Sequence, residues 1–161
     1  MQVTIERNRA SFIQAKDGLA HALNTTPDDR LSWSPSPTAR TPLQAAGHAA
    51  AAIAYMLGNM TGDTFAVATP EEAERLFREL DKEFTSREQV MELLEKNSSA
   101  YLNWLDAATP EILNSTMILP FGMGAIPVHA GMEFMPVHVN WHTAQINYIQ
   151  TIYGDLDWHL G

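Results

Sequence analysis

The chain has 161 residues, of which 45% are hydrophobic and 18% are charged, and this balance predicts one folded globular domain over residues 1–161. Its formal net charge of −9, with 10 lysines and arginines in all, argues against nucleic acid as a partner, because phosphate binding needs clustered basic residues. The absence of cysteine excludes disulfides, thiolate metal ligands and a cysteine nucleophile.

Two segments bear on localisation. Residues 1–9 contain mixed charges and lack the apolar core of a signal peptide, so a cytoplasmic protein is expected. The most apolar run, residues 43–57, includes a histidine and is shorter than the roughly 20 residues that a membrane-spanning helix needs. We therefore expect a buried helix there, and no membrane partner.

The first predicted element is an amphipathic helix over about residues 4–23, where apolar residues recur at three- and four-residue spacing. Residues 24–40 follow with three prolines and few apolar side chains, which predicts a connecting loop. We interpret Trp33, within this loop, as a hydrophobic plug over the ends of the helices rather than as a residue that stacks on a substrate.

The next helices begin with recognisable signals. Thr41-Pro42-Leu43-Gln44 combines an N-cap, a first-turn proline and a capping box, and it predicts a helix to about residue 60, before Gly62. Thr69-Pro70 opens a short charged helix to about residue 81. Thr85-x-x-Glu88 opens a long helix to about residue 105, and Thr109-Pro110 predicts a single helical turn.

Residues 114–130 contain too many glycines and prolines for a helix, and they predict a loop or a small hairpin. The last helix is expected to begin between residues 130 and 136 and to end near Tyr153, before Gly154, with Pro136 either in its first turn or at a kink. Four long amphipathic helices, one extra short helix and this irregular segment predict an all-α four-helix bundle.

The spacing His138-x-x-x-His142 in the last helix indicates a metal site, because residues four apart lie on one face of a helix. His48, the one histidine of an alanine-rich segment, is the predicted third ligand. Three imidazoles leave a coordination position open, as in catalytic rather than structural zinc sites. Imidazole binds zinc, nickel, iron and copper alike, so the ligands do not name the metal.

A different interpretation stays open, because a pair of histidines four apart also arises by chance. The three rings would then be separate core histidines, each bonded to a backbone carbonyl or to a tyrosine such as Tyr55 or Tyr148. Burial of three imidazoles without partners costs roughly 1–3 kcal/mol each, which favours one shared cation.

Other polar residues are weaker candidates. His129 and Glu133, near the start of the last helix, are possible further ligands or acid–base groups, and Gln145 is placed to hydrogen-bond a ligand's outer nitrogen or a bound water. A surface or helix-end role is favoured for His21, and His159 lies in the tail. The sequence shows neither a Ser-His-Asp arrangement nor a phosphate-binding glycine loop, and no catalytic residue is predicted.

Three segments together resemble the DinB-like superfamily of metal-binding four-helix bundles. They are Trp33-x-Pro35 with Thr41–Gln44 and His48, the run His138-Val-Asn-Trp-His142-Thr-Ala-Gln145-Ile146, and the ending Ile152-Tyr153-Gly154-Asp155. The second is similar to the family's His-x-x-x-His-x-Gly-Gln motif, with Ala144 where glycine is common. The resemblance covers essentially the whole chain.

The resemblance implies a divalent ion, zinc or nickel, at His48, His138 and His142, and a homodimer. The superfamily that the chain resembles includes thiol-dependent S-transferases and the mycothiol-dependent maleylpyruvate isomerase type. The leading hypothesis is therefore a transferase that joins a low-molecular-weight thiol to a small-molecule electrophile at an open three-histidine site. A metal-dependent hydrolase and a non-catalytic, metal-stabilised dimeric bundle are the alternatives.

Overall fold

The computed structural model describes residues 2–65, 67–157 and 159, and most of them are helical. The four long helices are α1 (Gln2–Thr25), α2 (Pro42–Thr61), α4 (Arg87–Ala107) and α7 (Phe134–Ile152). Of the five α1 side chains predicted to face the core, Phe12, Ala15, Leu19 and Ala22 are buried and Ile5 is partly buried. They share one hydrophobic core with residues of α2, α4 and α7, so the predicted four-helix bundle is confirmed.

The helix starts follow the predicted capping signals with one shift. The Thr41 hydroxyl accepts from the Gln44 backbone N–H, and the Gln44 side chain accepts in return from the Thr41 N–H, both at 3.1 Å. The short helix α3 (Pro70–Leu80) begins after Thr69 as expected.

The predicted cap of α4 at Thr85 is wrong by one residue, because Ser86 caps this helix. The Ser86 hydroxyl accepts from the backbone N–H of Gln89 at 3.2 Å, and the Gln89 side chain accepts from the backbone N–H of Thr85 at 2.9 Å. Gln89, three residues after Ser86, therefore takes part in the capping of α4 through both its backbone and its side chain.

Side-chain contacts define the directions of the helices. Asn8 bonds the carbonyl of Met132 and Gln150 bonds that of Ala22, so α1 and α7 run in the same direction. Arg9 of α1 bonds the carbonyl of Leu102 near the end of α4, and Lys16 bonds Glu95 in its middle. Arg87, at the start of α4, bonds the carbonyl of Leu23 near the end of α1, so these helices are antiparallel. Around the bundle α7 lies between α1 and α2, and α4 lies on the other side of both. The helices α1 and α2, consecutive in sequence, are thus diagonal to each other.

The irregular segment before α7 contains the predicted hairpin. It comprises α5 (Pro110–Asn114), β1 (Thr116–Ile118), β2 (Ala125–Pro127) and α6 (Val128–Gly131), with the two strands antiparallel and Met117 opposite Ile126. A Cβ atom at Gly131 would overlap Sδ of Met117, so glycine permits β1 to pack closely on α6. Pro136 lies in the first turn of α7, where its missing N–H breaks no helical hydrogen bond.

Across the residues covered by the structure, none of the helices combines the length and the apolar character that a bilayer span requires.

Candidate metal centre

The three predicted ligands lie together in the interior of the bundle. The ring of His48, on α2, is centred 5.5 Å from that of His138 and 4.8 Å from that of His142, and the two rings on α7 are 4.7 Å apart. One ring nitrogen from each residue lies within 4.8 Å of the other two. We call His48, His138 and His142 the histidine cluster.

Small residues on α2 allow this approach. Ala45, Ala49 and Ala52 flank His48 and are buried, so the part of α2 around His48 carries methyl groups rather than bulky side chains. The helices α2 and α7 run antiparallel, because Ala45 lies near Ile149 at one end and Met60 near Phe134 at the other. His48 therefore reaches the middle of α7, where the two other histidines lie.

A buried carboxylate orients His48. Nδ1 of this ring lies 3.4 Å from Oδ1 of Asp81, and the Arg40 Nε–H donates to Oδ2 of Asp81 at 2.7 Å. Burial alone would raise the pKa of Asp81, but hydrogen bonds from His48 and Arg40 outweigh it and hold this pKa below its usual value. Asp81 thus stays ionised, and it favours a proton on Nδ1 of His48, with Nε2 left free to bind.

His142 is oriented in a similar way by the predicted partner Gln145. Nδ1 of His142 donates to Oε1 of Gln145 at 2.9 Å, which again leaves Nε2 free. Hydrogen bonds of this kind on the outer nitrogen are the usual support of metal-binding histidines.

The ring of His138 differs, because its buried Nδ1 has no hydrogen-bond partner in the part of the chain that the structure describes. An orphaned buried polar atom costs about 1–3 kcal/mol, and a cation shared by the three rings offers it a partner. The donor set therefore fits a metal ion by chemistry as well as by position.

Burial also keeps protons off two of the rings. It lowers the pKa of His138 to about 4, and, with added repulsion from the neighbouring rings of His138 and His48, it lowers the pKa of His142 to about 3. Neutral imidazole is the form that binds metal, so these two rings are available to a metal ion at neutral pH without loss of a proton.

The helix α3 and the turn that follows it cover the histidine cluster. Phe77 of α3 packs its ring edge-on against His48 at 5.0 Å, and Asp81 begins the turn. Phe84 lies so close to α2 that a Cβ atom on Gly47 would overlap its ring. Glycine next to His48 therefore lets Phe84 anchor the turn that carries Asp81.

The other weaker candidates, His129, Glu133 and His21, lie outside the histidine cluster. Nδ1 of His129 is 3.0 Å from the carbonyl oxygen of Leu113, and Glu133 forms an exposed ion pair with Arg7 at 2.6 Å. His21 contacts the backbone of His159.

The tyrosines of the alternative interpretation do not support separately bonded histidines. Tyr55 packs against Phe65 and Phe77, and Tyr148 is 69% exposed. Trp33 packs on Tyr153 at a distance of 6.0 Å between ring centres, in agreement with the predicted plug.

Sequence reasoning missed Asp81 and Arg40. Asp81 belongs to a charged segment that is exposed for most of its length, and Arg40 ends the proline-containing loop of residues 24–40. No spacing connects either residue with a histidine, so we find no sequence signal that would have identified them.

Comparison with known proteins agrees with this architecture. A sequence model of the family described as the DinB superfamily matches residues 11–146. Among solved structures, YfiT from Bacillus subtilis superposes with a TM-score of 0.74 over 93% of this chain and 87% of that one, at 16% identity. Its description is a probable metal-dependent hydrolase with an unusual four-helix bundle topology. At this identity the likeness shows the fold, and none of the curated proteins matches the sequence.

Proposed function

Because the chain belongs to the DinB superfamily and joins three buried or partly buried histidines in one cluster, we propose that it is a metal-dependent enzyme. His48, His138 and His142 hold one divalent ion, zinc or nickel. The observation that carries this proposal is the approach of three ring nitrogens to within 4.8 Å of one another, from two helices distant in sequence.

A bound divalent ion would supply a Lewis acid that lowers the pKa of water or of a thiol placed against it. Within the described ranges the cluster consists of three imidazoles without a carboxylate, so the site favours an anionic ligand in the open position. Asp81 and Gln145 hold two of the rings in place, and Phe77 shields His48 from water on the side of α3.

We propose transfer of a low-molecular-weight thiol to an electrophile as the reaction. Both oxygens of Asp81 are engaged by His48 and Arg40, so this carboxylate is poorly placed to act as a general base. An ionised thiolate needs no further base to attack an electrophile, whereas hydrolysis gains from one. The chain has no cysteine, so the thiol would come from a small molecule.

Hydrolysis is the second candidate, and it is supported by the description of YfiT as a probable metal-dependent hydrolase. It would use the same three ligands with water in the open position. A non-catalytic bundle stabilised by its metal is the outcome if neither reaction is found.

Metal analysis tests the site itself. We expect untagged protein to bind about one equivalent of zinc or nickel by mass spectrometry, and His142→Gln to lose it. His129→Gln is the matched control, because His129 bonds a backbone carbonyl outside the cluster. Full metal content in His142→Gln would contradict the proposal.

Turnover separates the two reactions. Conjugation of small thiols to 1-chloro-2,4-dinitrobenzene and hydrolysis of 4-nitrophenyl acetate would be compared in metal-loaded, metal-free and His142→Gln protein. Conjugation that depends on metal supports the transferase, and hydrolysis that depends on metal supports the hydrolase. Equal rates in loaded and metal-free protein would remove the metal from the mechanism.

The homodimer and the cytoplasmic location stay predictions. Exposed apolar side chains on α7, among them Phe134, Trp141 and Tyr148, would supply a surface for association, which light scattering would measure.

A further inference from the structure

A cavity of about 340 Å³ lies beside the histidine cluster, between α2, the β1–β2 hairpin and the start of α7. His138 forms part of both the cavity wall and the cluster. Most of the remaining wall consists of thioether and aromatic side chains, including Met56, Met60, Met117, Met123 and Trp141.

The chemistry of this wall selects an uncharged, apolar occupant. None of the residues that line the cavity in the described ranges is charged, although the chain as a whole carries a net charge of −9. Besides His138, the polar side chain in the wall is that of Asn59, one amide that can orient a ligand by a hydrogen bond. Methionine side chains adapt their shape to different apolar groups, so the wall suits a class of occupants rather than one shape.

The volume suits part of a small molecule. A cavity of about 150 Å³ binds benzene, and small-molecule sites start at about 300 Å³, so this cavity is large enough for an aromatic or branched aliphatic group. A segment of protein is a poorer fit, because a helix has a diameter of about 10 Å with its side chains.

We propose that this cavity binds the apolar part of the electrophilic substrate and thereby presents its reactive atom to the open side of the histidine cluster. This inference rests on the proposed function. It names the substrate class as electrophiles that carry an uncharged aromatic or branched aliphatic group, because His138 belongs both to the apolar wall and to the histidine cluster.

Naphthalene, which carries no metal-binding group, is the probe. We expect the purified protein to bind naphthalene, measured by saturation-transfer NMR, and Val137→Trp to weaken binding by about tenfold or more, because the indole would occupy the cavity. Val137 lines the cavity and is 42% exposed, so a larger side chain is compatible with folding. Ile13→Trp is the matched control, on α1 away from the cavity and 37% exposed, and it should bind like the parent protein.

Equal binding by Val137→Trp and the parent protein, or no binding by either, would overturn the inference. Leu119→Trp, from the hairpin side of the cavity, repeats the test if Val137→Trp fails to fold.

Cobalt(II) in the histidine cluster tests the connection to the metal. We expect cobalt(II) to accelerate relaxation of the naphthalene protons in the parent protein, and the effect to be lost in Val137→Trp at equal cobalt content. Bound naphthalene that cobalt(II) does not relax would overturn the inference, because the cavity would then be separate from the cluster. If the protein takes up no cobalt(II), the proposed function fails, and the naphthalene titration still decides whether the cavity binds apolar groups.

Discussion

Two of the three histidines owe their orientation to a partner on the outer ring nitrogen. Asp81 faces Nδ1 of His48 at 3.4 Å, and Gln145 accepts from Nδ1 of His142 at 2.9 Å. In both residues this leaves Nε2 as the nitrogen available to a ligand. A charged partner and a neutral partner therefore perform the same task on two different rings of the cluster.

Replacement of the charged partner should weaken metal binding. We expect Asp81→Asn to lower zinc affinity by about 10- to 100-fold, because His48 loses the carboxylate that favours its Nδ1 proton. Chelator competition measures the affinity. Asp106→Asn is the control, since Asp106 pairs with Arg9 on the surface, and equal affinity of the two variants would show that Asp81 does not position His48.

The pKa values of the buried rings predict acid sensitivity of the metal-free protein. His138 and His142 have pKa values of about 4 and about 3 in the folded state, against an ordinary value of 6.5. Between pH 6.5 and these folded-state pKa values, the two histidines bind more protons in the unfolded chain than in the folded protein. The stability that the neutral rings contribute above about pH 6.5 is therefore lost progressively as the pH falls towards 4 and 3.

We therefore expect the free energy of unfolding of the metal-free protein to fall by about 1–2 kcal/mol per histidine from pH 7 to pH 5. Urea titrations at the two pH values measure it. The double variant His138→Gln, His142→Gln should lose most of this difference, and His129→Gln should keep it. An unchanged pH dependence in the double variant would refute the assignment.

Among the secondary-structure elements, α3 and its following turn have the most specific task. They bring Phe77 and Asp81 to His48, and their position depends on the contact between Phe84 and Gly47. This contact joins a bundle helix to a segment outside the bundle. The segment that covers the histidine cluster is thus held by this packing as well as by the bond from Arg40 to Asp81.

Two glycines in helices should respond to alanine in opposite directions. We expect Gly47→Ala to destabilise the protein by about 1–3 kcal/mol, because its Cβ atom would overlap the ring of Phe84, and to weaken metal binding through Asp81. The Cβ atom of Gly18→Ala would meet a Thr143 methyl carbon at 3.9 Å, an ordinary contact, and should stabilise α1 by about 0.5–1 kcal/mol.

Thermal unfolding and chelator competition on the metal-loaded variants measure both effects. If Gly47→Ala kept the stability and the affinity of the parent protein, Phe84 would not hold the turn in place.

The bundle topology brings the last helix of the chain against its first two long helices. The final helix α7 inserts between α1 and α2, which places His138 and His142 beside a histidine from the first third of the sequence. A metal ion in the cluster would bridge α2 and α7, and it would bind the folded state alone. Metal binding would therefore raise the global stability.

Removal of metal should lower the melting temperature of the protein. With free zinc at about 100 times its dissociation constant, the bound ion adds about 2.7 kcal/mol to stability, and a chelator removes it. Calorimetry before and after addition of chelator, and after return of zinc, measures the change. The melting temperature of His142→Gln should be the same before chelator, after chelator and after return of zinc. An unchanged melting temperature of the parent protein after addition of chelator would contradict a bridging ion.

Local chemistry made much of this fold predictable. The capping box at Thr41 and Gln44, the glycine-rich and proline-rich hairpin, and the pairing of His138 with His142 all involve residues within a few positions of each other. Their interactions depend on local backbone geometry, so the sequence predicts them without knowledge of the neighbouring helices. The shift of the α4 cap from Thr85 to Ser86 shows that the precision of such readings is about one residue.

Features that join distant segments needed the folded chain. His48 was predicted as a ligand from its unusual alanine-rich surroundings and then from a family resemblance, but its distance to α7 depends on the order of helices around the bundle. Asp81, Arg40 and the methionine-lined cavity gave no signal, because their partners are set by packing between elements rather than by spacing along the chain. Periodicity and capping thus establish the helices and one helix face that carries two histidines, while the packing of those helices establishes the position of the third histidine, its carboxylate partner and the apolar cavity beside them.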